Sequence, residues 1–526
     1  MADPFYLTTA INYPNGRPHI GHAYEAIAAD VIARFQRWMG REVRFQTGTD
    51  EHGLKMARKA EEQGVGPREL ADEMSGYFQA MDEVLDISFD RFIRTVEPAH
   101  HRASQALWKA MAEAGDLYLD RYEGWYSVRD EAYYDESELV ADGPPGSGAG
   151  AGERLSPQGT PVEWTVEESW FFRLSRYQDK LLELLRSPGF CEPESRRNEM
   201  LAFVSSGLKD LSVSRTSFDW GVKVPGAEGH VMYVWVDALT NYLTGLGYPD
   251  DTAEWRKFWP ANLHLVGKDI MRFHTVYWPA FLMSAGLPVP RQVFGHGFLL
   301  NRGQKESKSL GNVTDPLELA ERFGVDNLRY FLMRDVAFGQ DGSYSAEAIV
   351  NRCNAELANS FGNLVQRILS MIAKNMDGVL EAFSPNDDDK ALLARVRRAC
   401  REELPREFQA LAFSQGIEAW RQAVWACNRY IDEQAPWALG KTDPARMKAV
   451  LLTLFIAIRE LAMAIQPVVP QKAAGVLDML GVAPGARNHA DLADDDWYGG
   501  LVAAGHRIAP PTPAFPRLEL PEAEPA

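Results

Sequence analysis

The sequence of 526 residues has few cysteines and no excess of basic residues. Its four cysteines, at positions 191, 353, 400 and 427, include no Cys-x-x-Cys pair, so neither a disulfide framework nor a cysteine-rich metal site is predicted, and a reducing, cytoplasmic location is expected. Lys and Arg number 55 against 73 Asp and Glu, a net charge of -18. This balance excludes a protein that coats nucleic acid over its whole surface.

The sequence also lacks a long uninterrupted apolar run. Its most apolar stretch, residues 451–469, contains Arg459 and Glu460, and two charges at a bilayer centre would be costly. The first sixteen residues have no basic region followed by an apolar one, as a secretion signal would. We therefore expect neither secretion nor contact with a membrane.

The first fifty residues alternate between strand and helix patterns. Residues 5–9 and 42–46 are typical of strands, and residues 20–38 of an amphipathic helix between them. Parallel strands joined by helices bind ligands at their carboxyl ends, where the loops 12–19 and 47–52 would meet. Residues 231–236 are apolar throughout and predict a further buried strand.

The predicted fold class is α/β, with a Rossmann-like parallel sheet split by an insertion and followed by an all-α bundle. The insertion has a segment rich in Gly, Pro, Ser and Ala at 142–160, and the final segment predicts either a packed tail or disorder. The expected units are residues 1–115 with 231–300 (sheet domain), 116–230 (insertion), 301–345 (loop and linker), 346–480 (helical domain) and 481–526 (tail).

Two histidines stand three residues apart at the start of the first predicted helix. In His19-Ile20-Gly21-His22 the imidazoles share one helix face. Helix N-termini attract anions through their N–H groups and dipole, and a glycine lets a flat base approach the backbone. The pattern suits a triphosphate, but four residues alone fit a capped, satisfied histidine pair equally well.

A basic motif, Lys305-Glu306-Ser307-Lys308-Ser309, lies in a polar loop that could close over a ligand. Two lysines with flanking hydroxyls can neutralise a polyphosphate, although a motif of this kind alone is more typical of a solvated surface loop. The histidine motif and this one, in this order and nearly three hundred residues apart, are far more specific together.

The two motifs resemble the signature pair of the class I aminoacyl-tRNA synthetases. Four further segments, residues 10–16, 48–53, 233–238 and 267–274, resemble those of methionyl-tRNA synthetases in family order. The resemblance covers residues 5 to about 470. It implies ATP-dependent attachment of L-methionine to tRNA(Met) through methionyl-adenylate, for initiation and elongation, with Mg²⁺ entering on the phosphates of ATP.

The resemblance also assigns site residues. The implied catalytic residues are His19, His22, Lys305 and Lys308. The implied ATP-binding residues are His19, Gly21, His22, Asp269, Lys305, Ser307 and Lys308. The implied methionine pocket consists of Ala10, Ile11, Tyr13, Asp50, Trp235, Ala238, Tyr242, Ile270 and His274. An aromatic-walled slot suits a thioether, although such aromatics are more often ordinary core residues.

In the helical domain, the resemblance assigns anticodon contacts to Asn359, Asn363, Arg367 and Trp437. The first three recur every four residues and so share a helix face. Unpaired bases can stack on an indole and be read by amide and guanidinium groups. An interhelical polar network around a buried Trp is an equally good interpretation of these residues.

The sequence departs from the pattern of many methionyl-tRNA synthetases in three respects. The insertion has no cysteine in residues 125–131, where relatives carry a zinc knuckle, so no metal site and no zinc are expected. Glu306 stands where methionine is commoner and places a negative charge beside the lysines. The appended oligonucleotide-binding domain that dimerises some relatives is not found, so a monomer is expected.

Three alternatives fit the sequence less well. A synthetase for leucine, isoleucine or valine would need a large editing insertion, and one for cysteine a zinc site. A non-catalytic RNA-binding paralogue would lose the lysines or histidines of the two motifs. A small-molecule adenylyltransferase would lack the helical domain and be much shorter.

Overall fold

The computed structural model describes residues 3–128, 132–141, 154–157, 159–303, 314–494 and 496–520. Its strands are β1 (Pro4–Thr9), β2 (Glu42–Thr49), β3 (Arg91–Arg94), β4 (Leu117–Ser127), β5 (Ala132–Tyr134), β6 (Val140–Ala141), β7 (Arg154–Leu155), β8 (Glu163–Phe172), β9 (Cys191–Glu192), β10 (Leu211–Ser212), β11 (Ser214–Arg215), β12 (Val231–Met232), β13 (Leu263–Gly267), β14 (Val293–His296), β15 (Leu299–Asn301) and β16 (Gly342–Tyr344).

The α-helices of the amino-terminal half are α1 (Ile20–Trp38), α2 (Leu54–Gln63), α3 (Pro67–Val84), α4 (Pro98–Glu113), α5 (Gln178–Arg186), α6 (Glu194–Ser205), α7 (Val234–Thr244), α8 (Ala253–Phe258) and α9 (Trp278–Ser284). Those that follow are α10 (Pro316–Phe323), α11 (Val325–Asp335), α12 (Ala346–Cys353), α13 (Asn363–Asn375), α14 (Asp387–Arg398), α15 (Leu404–Gln409), α16 (Phe413–Gln434), α17 (Pro436–Thr442), α18 (Pro444–Ile465), α19 (Pro470–Met479) and α20 (Trp497–Ala503).

A parallel sheet of six strands forms the centre of the amino-terminal half. Its order is β3-β2-β1-β13-β14-β9, and every neighbouring pair is parallel. The predicted α/β class with a helical region after it is confirmed. Strand β9 lies within residues 116–230, the predicted insertion. Its pairing with β14 shows that part of this segment belongs to the central sheet.

The first β-α-β unit matches its prediction closely. Helix α1 spans the predicted residues 20–38, and its apolar side chains are buried between the sheet and the helical region. The predicted strand at 231–236 is wrong beyond Met232, because helix α7 begins at Val234. A short apolar run does not distinguish a buried strand from a buried helix, and α7 is buried almost all round.

The insertion forms a separate antiparallel sheet of order β10-β8-β4-β5. Strands β4 and β8 pair along ten residues, from Leu117 opposite Phe172 to Tyr126 opposite Glu163. An antiparallel sheet can leave one face in water, and Leu119, Trp164 and Val166 are exposed on this one. The predicted loop at 142–160 lies largely outside the described residues.

Helices α12 to α19, with two π-helical segments, build the carboxyl-terminal bundle. The described part of the tail packs against it: the ring of Phe515 meets that of Phe361, and the Leu518 N–H donates to Asn354 Oδ1 at 2.8 Å. Of the two interpretations of the tail, packing is therefore the one observed up to residue 520. Among the described residues, no helix is both long and apolar enough to cross a bilayer.

A fully buried arginine joins the two halves. The Arg329 guanidinium on α11 donates to Asp30 Oδ2 on α1 at 2.6 Å, to the Leu85 carbonyl at 3.3 Å, and to the Pro467 and Val468 carbonyls of the bundle at 3.1 and 3.0 Å. Burial alone would raise the pKa of Asp30, but the charges of Arg329 and Arg34 lower it. Asp30 is therefore ionised, and each guanidinium nitrogen of Arg329 donates at least one hydrogen bond.

We predict that Arg329→Ala destabilises the protein by about 3 to 5 kcal/mol, because it leaves the Asp30 charge buried without its main partner. The midpoint of urea unfolding, followed by tryptophan fluorescence, measures this. Arg102→Ala is the control, since the ion pair between Arg102 and Asp250 is exposed, and no measurable shift is expected there. Equal midpoints for both variants would contradict the prediction.

Candidate active site

A cavity of about 470 Å³ opens at the carboxyl ends of β1, β2 and β13, where open parallel sheets bind ligands. It is lined by all nine predicted methionine-pocket residues and by the predicted ATP residues His19, Gly21, His22 and Asp269. The predicted residues Lys305, Ser307 and Lys308, together with Glu306, lie outside the described residues.

The two histidines cap the first turn of α1. The Gly21 N–H donates to His19 Nδ1 at 3.0 Å, and the His19 N–H donates to His22 Nδ1 at 3.1 Å. Since each Nδ1 accepts a proton donor, each neutral imidazole carries its own proton on Nε2. The cap thus presents ring N–H donors at a helix N-terminus, which is a suitable environment for phosphate oxygens.

Gly21 is required by the ring of His19 in this cap. A Cβ atom added at Gly21 would lie 2.8 Å from His19 Cε1 and 3.0 Å from His19 Nδ1. The absence of a side chain at Gly21 leaves room for the capping imidazole. Gly21 also lines the cavity, and its contact with ATP stays a prediction.

The other end of the cavity is an aromatic slot. The Trp235 indole stacks on Phe273 with ring centroids 3.7 Å apart, and the Tyr242 hydroxyl lies 2.7 Å from His274 Nε2. His274 Nδ1 lies 2.9 Å from the Ile270 carbonyl, so Nδ1 donates and Nε2 accepts the Tyr242 proton. Burial lowers the pKa of His274 to about 4. The slot is therefore apolar, aromatic and neutral.

Asp50 is a buried carboxylate at the edge of this slot. It follows β2, its N–H donates to the Asn12 carbonyl at 2.8 Å, and its side chain lines the cavity. Lys55 lies over the ring of Tyr13, with its Nζ 4.8 Å from the ring centroid. A carboxylate beside an apolar slot fits a ligand that has an ammonium group next to an apolar side chain.

A buried Asp-His network supports the slot and was missed from the sequence. Asp237 Oδ2 lies 2.7 Å from His52 Nδ1, and Asp237 Oδ1 lies 2.7 Å from His100 Nε2. Burial would raise the pKa of Asp237, but the adjacent histidines hold it well below its usual range. The network ties α7, which carries Trp235, to the loop that carries Asp50. The only sign of this network in the sequence is that Asp237, an acidic residue, lies within an apolar run.

A second missed pair lies at the Asp269 end of the cavity. His296 Nε2 lies 2.7 Å from Glu25 Oε2, and His296 Nδ1 lies 2.9 Å from the Gly297 carbonyl. Burial opposes protonation, but the hydrogen bond and charge of Glu25 raise the pKa of His296 above its usual value. Asp269 itself follows β13, and its Oδ1 would lie 2.7 Å from a Cβ atom at Gly267.

The four predicted anticodon residues share a surface of the bundle. Asn359 and Asn363 are exposed, Arg367 pairs with Asp432 at 3.1 Å, and the Arg367 guanidinium lies 5.5 Å from the centroid of the Trp437 ring. Trp437 is 55% exposed. The alternative interpretation of a buried tryptophan within a polar network is therefore wrong.

Residues 5–369 match a family described as tRNA synthetases class I (M), and residues 379–524 match the anticodon binding domain of methionyl tRNA ligase. The chain belongs to the methionyl-tRNA synthetase family. It is therefore a methionine-tRNA ligase, which attaches methionine to tRNA with ATP through an adenylate intermediate.

The relatives extend over nearly the whole chain. Methionine-tRNA ligase of Brucella suis is 57% identical and that of Mycobacterium tuberculosis strain CDC 1551 is 54% identical, with 98% and 99% of each chain covered. The solved M. tuberculosis methionyl-tRNA synthetase in complex with methionyl-adenylate is 53% identical, with a TM-score of 0.93 over 98% of this chain and 100% of that one. The apo form of the same enzyme gives a TM-score of 0.87 at 50% identity, with 99% of each chain covered.

We predict that Gly21→Ala slows methionine-dependent exchange of pyrophosphate into ATP by on the order of 10- to 100-fold, because the new methyl group displaces the His19 ring. The exchange rate at saturating methionine measures this. Gly76→Ala on α3 is the matched control, since a Cβ atom there meets no other atom within 4 Å. Equal rates for the two variants would show that His19 need not hold this position.

We predict that His274 stays neutral across the physiological range. Its pKa in the fold is about 4, below the ordinary 6.5, so its contribution to stability is complete above pH 6.5 and is lost as the pH falls from 6.5 towards 4. NMR of protein with labelled histidine, with His274→Gln to assign the signal, measures the titration. A midpoint near 6.5 for that signal would contradict the prediction.

Proposed function

We propose that the two ends of the cavity divide the substrates, with ATP phosphates at the start of α1 and the methionine side chain in the aromatic slot. The observation that carries this proposal is that one cavity joins a doubly capped helix N-terminus to a neutral aromatic slot with a buried acid at its edge. An anion suits the first end, and a thioether with an adjacent ammonium suits the second.

In the proposed methionine site, Asp50 accepts hydrogen bonds from the substrate ammonium. The side chain lies among Tyr13, Trp235 and Tyr242, where a polarizable sulfur packs well against ring edges. Ala10, Ile11, Ala238 and Ile270 close the slot, and all four line the cavity. His274, held neutral by burial, offers a polar contact without adding a charge that a thioether could not satisfy.

In the first step, a methionine carboxylate oxygen attacks the α-phosphorus of ATP. The bond from that phosphorus to the bridging oxygen breaks, and pyrophosphate leaves with the electron pair. In the second step, a hydroxyl oxygen of the terminal tRNA ribose attacks the carbonyl carbon and the hydroxyl proton is released. The bond from that carbon to the phosphate oxygen breaks, and AMP leaves with the electron pair. In the proposed mechanism, His19 and His22 donate ring N–H bonds to phosphate oxygens as charge develops, and such preorganised donors stabilise the transition state.

The remaining ATP contacts are proposals from the family resemblance. Lys308, with help from Lys305 and Ser307, stabilises the leaving pyrophosphate, and Asp269 contacts the ribose. The cap at α1 offers imidazole and backbone N–H groups, which bind phosphate oxygens rather than a bare cation. Mg²⁺ would therefore arrive on ATP as part of the substrate and supply charge neutralisation.

We further propose that Asn359, Asn363, Arg367 and Trp437 read the anticodon of tRNA(Met). This proposal is supported by the amide, guanidinium and indole groups that share one exposed surface, as recognition of single-stranded RNA requires.

We also propose the division of the chain into catalytic, inserted, linker, helical and tail units. A monomeric state and a cytoplasmic location are proposals as well. The expected absence of zinc also remains a prediction. Among the described residues, no group of three or more His, Cys, Asp or Glu side chains could hold a metal ion.

The test is methionine-dependent exchange of labelled pyrophosphate into ATP, run with all twenty amino acids. We expect stimulation by methionine, and we expect Lys308→Ala to reduce the rate by roughly 100-fold or more, while binding of methionine, measured by calorimetry, changes little. Lys390→Ala, on the exposed start of α14, serves as the control. Stimulation by leucine or isoleucine alone would refute the specificity, and normal exchange by Lys308→Ala would refute the role of that residue.

A further inference from the structure

Helix α16 carries a second exposed tryptophan that the proposed function does not use. Trp425 is 54% exposed, whereas Trp420, five residues earlier on the same helix, is completely buried and donates its indole N–H to the Leu461 carbonyl at 2.9 Å. The Trp425 indole therefore lies on the solvent side of a long bundle helix, where burial in the core does not account for it. Tryptophan is enriched at interfaces, because its large ring is apolar while its N–H is polar.

Trp425 lies on the same helix face as part of the proposed anticodon surface. Asp432 follows it by seven residues, two helical turns and about 10 Å along the axis. Asp432 pairs with Arg367 at 3.1 Å, and the guanidinium of Arg367 lies against the ring of Trp437. A continuous surface therefore runs from Trp437 through Arg367 and Asp432 to Trp425.

The charged side chains along this face are paired with one another. The Arg429 guanidinium lies 5.9 Å from the Trp425 ring centroid and pairs with Glu433 at 3.1 Å, and Arg421 pairs with Glu418 at 2.6 Å. The face thus presents aromatic and guanidinium planes rather than net positive charge. Such a face suits the flat surfaces of bases better than the phosphate backbone.

We propose that Trp425 stacks on an unpaired base of the tRNA anticodon loop outside the anticodon triplet. The proposal rests on the proposed anticodon surface, with which Trp425 is continuous. Stacked nucleotides in one strand rise by about 3.4 Å, so the separation of about 10 Å between Trp425 and Asp432 corresponds to roughly three nucleotide steps. In this proposal, a base beside the triplet stacks on the indole while the triplet contacts Asn359, Asn363 and Trp437.

The test measures binding of a hairpin RNA with the anticodon stem and loop of tRNA(Met) to the full-length enzyme. We expect Trp425→Ala to weaken binding roughly tenfold, because it removes one base-aromatic stack, and Trp425→Phe to restore most of the affinity. The loss should change little between 50 and 200 mM salt, since no phosphate contact is removed. Methionine-dependent pyrophosphate exchange should be unchanged in both variants.

Trp164→Ala is the matched control, because Trp164 is equally exposed, at 54%, but lies on the inserted sheet. Hairpin affinity equal to wild type is expected for it. A hairpin with 2-aminopurine at single loop positions identifies the base: quenching at one position outside the triplet should disappear in Trp425→Ala.

Trp437→Ala separates this proposal from the one on which it rests. If Trp437→Ala weakens hairpin binding and Trp425→Ala does not, the extension to Trp425 is wrong and the anticodon surface stands. If neither variant weakens binding, the anticodon surface itself is wrong. If Trp425→Ala instead changes only self-association in sedimentation, the face binds a second copy of this chain, and the RNA proposal is overturned.

Discussion

The buried ion pair between Arg329 and Asp30 is the interaction on which the relation of the two halves depends. A guanidinium removed from water is tolerated only when its donors are satisfied, and those of Arg329 reach α1, the end of α3 and the bundle at once. The same α1 carries the histidine cap at its first turn. The pair therefore fixes the bundle against the helix that begins at the cavity.

The cavity itself depends on a small number of buried polar contacts around an apolar slot. Asp237 bridges two histidines from different elements and stays ionised because both are close. His274, by contrast, stays neutral because burial lowers its pKa and, unlike Asp237, its ring atoms hydrogen-bond to a hydroxyl and a carbonyl rather than to a charged group. An ionised group, Asp237, and a neutral one, His274, therefore lie close together in one site. The slot for a side chain stays neutral, while charged groups lie around it.

Periodicity in the sequence was sufficient for the long elements and insufficient for the short ones. The predicted bounds of helix α1 match the structure to the residue, because a helical pattern that continues over nineteen residues gives a strong signal. Strand β9 has only two residues and lies within the predicted insertion, and the apolar run after Met232 predicts a strand where the structure has a helix. In both cases, packing against neighbouring elements decided the local structure. The pattern of residues within a short segment contains no information about those neighbours.

The sequence by itself determined the chemistry available: imidazoles at a helix start, an acid after β2, aromatics at 235 and 242, and amides spaced along one helix face. The tertiary structure decided which of these groups meet. The partners of Asp237 lie 185 and 137 residues away along the chain, and the exposure of Trp437 and Trp425 depends on how the bundle helices pack. Such contacts depend on distances in space, which the order of residues does not specify.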